Sequence, residues 1–179
     1  MALTRIGLNQ SINLASNVTG TLPIANGGTA ITSGFINGTA TPGKVLQVQS
    51  GSHSSQATTT STSFQDVSTD VNVSLTCSAT SSKVLIIARF HELYLNGSHN
   101  LKLRVTAGGT QIMRFDGAAL TGASGEKVIG ETNVFVYSPS STSAIEYKMQ
   151  FASQNGSEVR VNQHSNPAVS LVLMEIAGW

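Results

Sequence analysis

Residues 44–179 read as a series of short segments in which apolar and polar side chains alternate. The clearest is 145–151, where Ile145, Tyr147, Met149 and Phe151 alternate with Glu146, Lys148 and Gln150. Such alternation is typical of a strand with one buried face. Residues 84–90 are apolar at nearly every position, as expected of a central sandwich strand. Because no helical windows intervene, the pattern predicts an all-β fold, an antiparallel β-sandwich of jelly-roll type.

Composition supports sheets and turns over helices. Ser, Thr, Gly and Asn make up 72 of 179 residues, and all four are poor helix-interior residues. Hydrophobic residues reach 40%, which is enough for a core. Charged residues are only 11% and the net charge is +1, so the clustered basic face of a nucleic-acid-binding module is not expected.

Residues 1–43 follow a different pattern. Single aliphatic residues stand apart between Gly, Asn and Thr, and they include Ile12, Leu14, Val18, Leu22 and Ile24. Such a stretch cannot bury a core by itself, so it is either disordered or packed against other chains. The regular spacing favours packing. We therefore predict an extended N-terminal segment, 1–43, followed by a sandwich domain, 44–179, with the division near Pro42 and Gly43.

Residues 14–29 carry a family resemblance. They read LASNVTGTLPIANGGT and resemble a segment that recurs in bacteriophage tail fibres near the shaft. Residues 41–48 are similar to the joint between such a segment and the head of a fibre. The head itself resembles a widespread fibre tip domain at 81–86, 138–142, Tyr147 and 173–176, and more loosely over 92–133. In that pattern a Leu-Asp often precedes the Ser-Pro, whereas Val136-Tyr137 stands there in this chain.

The resemblance implies a homotrimeric virion protein. It would be a tail fibre that attaches to tail or baseplate proteins through its N-terminal segment and binds a host-surface glycan or protein through its tip. Three chains winding together would bury the aliphatic residues of 1–43 at about 0.8 kcal/mol per CH₂ group. We expect Ile12, Leu14, Val18, Leu22 and Ile24 to form this attachment and shaft segment. The start of the chain lacks an apolar signal region, so synthesis in the host cytoplasm is expected.

Two other functions stay open. The first is a head fibre or a capsid-decorating protein in which residues 1–43 plug into the shell. The second is a glycan-cleaving spike enzyme, which is disfavoured because its usual long repetitive β-helix and clustered acids are lacking in this sequence.

The receptor-binding residues are expected in a loop at 94–100. Tyr94, Asn96, His99 and Asn100 combine an aromatic ring, planar amides and an imidazole, the chemistry that sugar rings and hydroxyls contact. The alternative is an ordinary hairpin turn with Tyr94 partly buried. The loop at 117–126 is a competing candidate of smaller, less distinctive residues.

No catalytic centre, cofactor or metal site is predicted. The carboxylates are dispersed and the four histidines form no close ligand pair, although a trimer axis would be able to gather one histidine from each chain. Cys77 continues the alternation of 71–75 and is expected to be a small buried hydrophobe. The longest apolar run, 84–88, is too short to span a bilayer, so membrane insertion is not expected.

Overall fold

The computed structural model describes residues 43–96, 101–115, 126–164 and 168–178, with only the backbone at 95–96 and 126–129. The chain divides into two compact units, Met1–Thr41 and Pro42–Trp179, and every described residue belongs to the second. The predicted shaft residues Ile12, Leu14, Val18, Leu22 and Ile24 lie outside the described residues.

The second unit is built of strands. In chain order they are β1 (Val45–His53), β2 (Ala57–Thr59), β3 (Gln65–Asp66), β4 (Val73–Thr76), β5 (Lys83–Asn96), β6 (Leu101–Ala107), β7 (Thr110–Phe115), β8 (Glu126–Tyr137), β9 (Ala144–Ser153), β10 (Val159–Val161) and β11 (Val169–Ile176). A 3₁₀ turn, Thr69–Val71, precedes β4. In the described ranges no helix is long and apolar enough to cross a membrane.

The strands form two antiparallel sheets. The six-stranded sheet is centred on β5, which pairs with β8 along one side and with β11 and then β1 at one end of the other side. At its opposite end β5 pairs with β10, which in turn pairs with β2. The five-stranded sheet is centred on β9, with β6 and then β7 on one side and β4 and β3 on the other.

The inward faces of both sheets form one hydrophobic core. The six-stranded sheet contributes Val84, Ile86, Ala88 and Phe90 of β5, and the five-stranded sheet contributes Leu103, Val105, Met149 and Phe151, all at most 2% exposed. Cys77 is 4% exposed, as the alternation predicts, and burial raises the pKa of its thiol. The prediction of an all-β antiparallel sandwich is confirmed.

Asn155-Gly156 does not join a hairpin. An Asn-Gly pair between two alternating segments predicts one, but β9 belongs to the five-stranded sheet and β10 to the six-stranded sheet. The turn therefore carries the chain across the sandwich. Gly156 has a φ of +90° and donates its N–H to Ser153 Oγ at 3.1 Å. The hairpin prediction is wrong because turn chemistry specifies a reversal but not which strands pair after it.

A buried carboxylate ties both sheets together at one end. Glu175 of β11 is 0% exposed, and its oxygens accept from Gln47 Nε2 at 2.6 Å, the Ser78 N–H at 2.6 Å, Ser78 Oγ at 3.1 Å and Ser82 Oγ at 2.7 Å. Burial acts to raise the pKa of Glu175, but these hydrogen bonds outweigh it and hold the pKa below its ordinary value. The charged form is therefore the one this site stabilises.

Candidate functional site

The predicted receptor loop leaves the sandwich at the end of β5. Tyr94 lies in β5 and is half-buried. Asn96 is the last residue of β5, and its backbone pairs with Glu126 at the start of β8. His99, Asn100 and the body of the competing loop, 117–125, lie outside the described residues. The structure therefore describes the side chains around Tyr94 and the strand ends next to both loops.

Tyr94 forms a cluster with side chains from β10 and the connections beside it. Arg160 lies opposite Tyr94 in the paired strand, and its guanidinium carbon is 4.5 Å from the centroid of the tyrosine ring. Arg160 Nε and Nη2 donate to Glu158 Oε1 at 2.7 and 2.5 Å, and Nη1 donates to Gln163 Oε1 at 3.1 Å. The guanidinium is thus fixed over the ring by three polar contacts.

Gln56 extends this surface with a second planar amide. Its Nε2 lies 3.0 Å from both the backbone oxygen and Oε1 of Gln163. We call Tyr94, Arg160, Glu158, Gln163 and Gln56 the Tyr94 cluster. The cluster joins β5 and β10 to the connections that follow β1 and β10, so its side chains are positioned by the sheet rather than by one loop.

A strained bulge lies beside the cluster. Between Phe90 and Leu93 the pairing of β5 with β8 shifts register, and Glu92 has a φ of +43°. Asn162, with a φ of +62°, donates its N–H to the His91 oxygen at 2.8 Å. Left-handed backbone at residues of this size costs about 1–3 kcal/mol and persists only where the surrounding structure holds it.

The bulge has a clear effect on the site. It places His91 and Glu92 of β5 opposite a single residue of β8 and keeps Leu93 fully buried, so Tyr94 points to the outer side of the sheet. Glu92 Oε2 accepts from the His164 N–H at 2.8 Å and lies 3.3 Å from His164 Nδ1. These contacts fix the chain after β10, which carries Gln163 of the Tyr94 cluster.

The cluster is suited to a neutral, hydroxyl-rich ligand. Glu158 balances the charge of Arg160, and the cluster combines two planar amides with an aromatic ring, which are groups that can contact hydroxyls and C–H groups. A strongly charged ligand would meet no net charge here. Within the described ranges no group of three or more His, Cys, Asp or Glu side chains has the arrangement of a metal site.

The sequence analysis placed Tyr94 and Asn96 in a loop, whereas both belong to strand β5, and it did not identify the side chains that surround Tyr94. Alternation over 158–162 places Arg160 and Glu158 on the polar side of a strand, which is the only local signal. Nothing in the sequence indicates that this strand pairs with β5 and stacks Arg160 on Tyr94. One face of the ring is therefore occupied by the Arg160 guanidinium.

Comparison with known proteins gives little. No protein-family profile and no curated protein matches the chain. Among solved structures, the chain is similar to the VP2 subviral particle of infectious bursal disease virus, at 12% identity over 75% of this chain and 38% of that one. It is also similar to the Gx strain of the same virus, at 13% identity over 75% and 39%. The TM-score is 0.29 in both cases, and at that value the likeness supports no conclusion about function.

Proposed function

We propose that this chain is a structural virion protein, a phage tail fibre whose β-sandwich tip binds a host-surface receptor, most readily a glycan. The observation that supports the binding role is the Tyr94 cluster at the end of the sandwich where the predicted receptor loop begins. The resemblance of residues 14–29 and of the sandwich to tail fibres supports the virion role. The protein acts by binding, without a cofactor and without catalysis.

The position of the cluster favours recognition. β5 ends at Asn96 and β8 begins at Glu126, and these two residues are paired. The connection that follows β5 and the connection that precedes β8 therefore both meet the six-stranded sheet near Tyr94. Binding residues are often found on loops carried by a rigid scaffold. Here the scaffold includes a fixed aromatic and guanidinium pair, which reduces the ordering cost when a ligand is bound.

The N-terminal segment supplies attachment in this proposal. Residues 1–43 pack among three copies of the chain and join the fibre to a tail or baseplate protein, with Ile12, Leu14, Val18, Leu22 and Ile24 buried between them. The homotrimer is part of the proposal. A head fibre or capsid-decorating protein would use the same segment on the shell, and the position of the protein in the particle separates the two.

Replacement of Tyr94 tests the binding role. We expect Tyr94→Ala to lower the rate of phage adsorption to host cells by tenfold or more, because it removes both the aromatic face and the platform that orients Arg160. Tyr94→Phe keeps the ring and is expected to retain most adsorption. The variants are compared at equal particle number, with the incorporated protein checked by quantitative immunoblot.

A matched control lies on the other sheet. Arg104 of β6 stacks on Phe64 with its guanidinium carbon 4.1 Å from the ring centroid, so Arg104→Ala removes the same kind of contact from the five-stranded sheet. We expect it to leave adsorption unchanged. Normal adsorption by a well-folded Tyr94→Ala fibre, or an equal loss in Arg104→Ala, would contradict the proposed site.

A further inference from the structure

The outer side of the six-stranded sheet is apolar over four strands. Its members point away from the core and are Val45, Val48, Leu85, Ile87, Val134, Val136, Val172, Met174 and Ile176. We call this set the outer apolar face. The four large hydrophobic residues that the described ranges leave most exposed all belong to it, with Val134 at 61%, Val136 at 55%, Val48 at 51% and Val45 at 47%.

The strand register makes this face continuous. One row across the sheet runs through Val48, Met174, Leu85 and Val136. The next row runs through Ser50, Val172, Ile87 and Val134 by the same pairings. Neighbouring strands are about 4.8 Å apart, so the side chains within each row touch. The exposed valines are therefore parts of one surface rather than scattered single residues.

Charges lie only at the margins of this face. Lys83 and Arg89 flank the two apolar rows, and the outward positions between them carry no ionisable side chain. An identical copy can therefore cover the two apolar rows without burying a charge. A glycan would find few hydrogen-bond partners here, and a strongly charged protein would find no complementary centre.

The size of the face fits one part of a subunit contact. Four strands over seven residues of β5 span a plane of about 400 Å² before side-chain relief is counted. The largest apolar patch of a single-chain protein is normally about 300–600 Å² and is often functional, and this face lies in that range. A stable interface buries about 800 Å² on each partner, so the face would supply about half of that area.

We infer that the outer apolar face is the surface through which the sandwich domain contacts another copy of this chain. The inference rests on the proposed homotrimer and names the surface that holds its tips together. Val134 and Val136 of β8 support it, because they are the most exposed members of the face and a contact with a copy would remove their apolar surface from water.

The test adds charge to the face in the full-length protein. Light scattering of the wild-type chain is expected to give three times 18.6 kDa. The double variant Val134→Lys/Val136→Lys is expected to give a single-chain mass with an unchanged strand signal in circular dichroism. The control Ser74→Lys/Thr76→Lys places two lysines on exposed positions of edge strand β4 and is expected to keep the wild-type mass.

A milder variant controls for the case in which the lysine variant fails to fold. Val134→Thr/Val136→Thr keeps the side-chain shape and the preference for strands, and its mass is expected to fall on dilution at concentrations where the wild type stays assembled. A wild-type oligomer whose mass neither double variant changes would overturn the inference and leave the proposed fibre function standing. A wild-type monomer would overturn both.

Discussion

The two outer faces of the sandwich differ although the same alternation produces both. On the outer face of the five-stranded sheet polar side chains pair with one another: Arg104 Nε donates to Gln150 Oε1 at 2.7 Å, and Lys148 Nζ lies 3.1 Å from Asp66 Oδ2 and 3.3 Å from Glu146 Oε2. On the six-stranded sheet the two central rows of the outer apolar face hold valine, leucine, isoleucine and methionine with one serine.

This difference shows what the core does and does not determine. A sandwich core needs apolar residues only on the inward side of each strand. The outer face of the five-stranded sheet shows that the outward positions can be polar. The apolar residues on the other outer face add nothing to the core of a single chain. Their presence is best explained by a contact outside the chain, and the predictions below test that explanation against simple strand preference.

The largest effect is expected from two adjacent residues of β5 that point to opposite sides. Ile86 is 0% exposed, and Ile86→Asp would place an unpaired charge in the core at a cost of several kcal/mol, a large share of the total stability of a domain. We expect insoluble or unfolded protein. Ile87→Asp, on the outer apolar face, is expected to give a folded domain that fails to assemble. Circular dichroism with light scattering distinguishes them, and equal damage from both would remove the distinction between inner and outer faces.

The next effect concerns the buried carboxylate. Glu175→Gln replaces an acceptor of four hydrogen bonds with an amide whose NH₂ group faces donors, and we expect a loss of about 2–3 kcal/mol. Urea unfolding at pH 7 measures it. Glu146→Gln, on an exposed carboxylate, is the control and is expected to change stability by less than about 0.5 kcal/mol.

Acid should weaken the same site. Because the pKa of Glu175 is lowered in the folded protein, its stabilisation is present above the unfolded-state pKa and is lost as pH falls through the folded-state pKa. Stability of the wild type is therefore expected to decrease below the ordinary glutamate value of 4.5, and Glu175→Gln is expected to show a shallower decrease. Parallel pH profiles for the two proteins would show that Glu175 does not titrate as described.

The smallest effect is expected on the polar outer face. Arg104→Ala removes a stacked guanidinium from Phe64 and a hydrogen bond to Gln150, contacts at a partly exposed site that together contribute about 1 kcal/mol. Thermal unfolding should shift by a few degrees, with the oligomeric mass unchanged. A change of oligomeric mass in this variant would indicate a subunit contact on the outer face of the five-stranded sheet and would contradict the inference.

The sequence predicted the fold class more fully than the site. Alternation identified most of the long strands and the buried position of Cys77, because these depend on neighbours in the chain, but it did not extend β5 to Tyr94. It did not identify the Gln47 and Glu175 pair, whose members are 128 residues apart, or the stacking of Arg160 on Tyr94. Both depend on which strands pair, and the Asn155-Gly156 turn shows that local turn chemistry does not decide that.

A density map of the intact phage particle tests the central claim most directly. The proposal predicts three copies of the chain at the tail, with residues 1–43 toward the particle and the Tyr94 end of the sandwich exposed to solvent. Within each trimer the outer apolar face is expected to meet a neighbouring copy, and the face carrying Arg104 and Lys148 is expected to contact solvent. Single copies, copies bound to the head shell, or trimers that meet through the polar face would contradict the account.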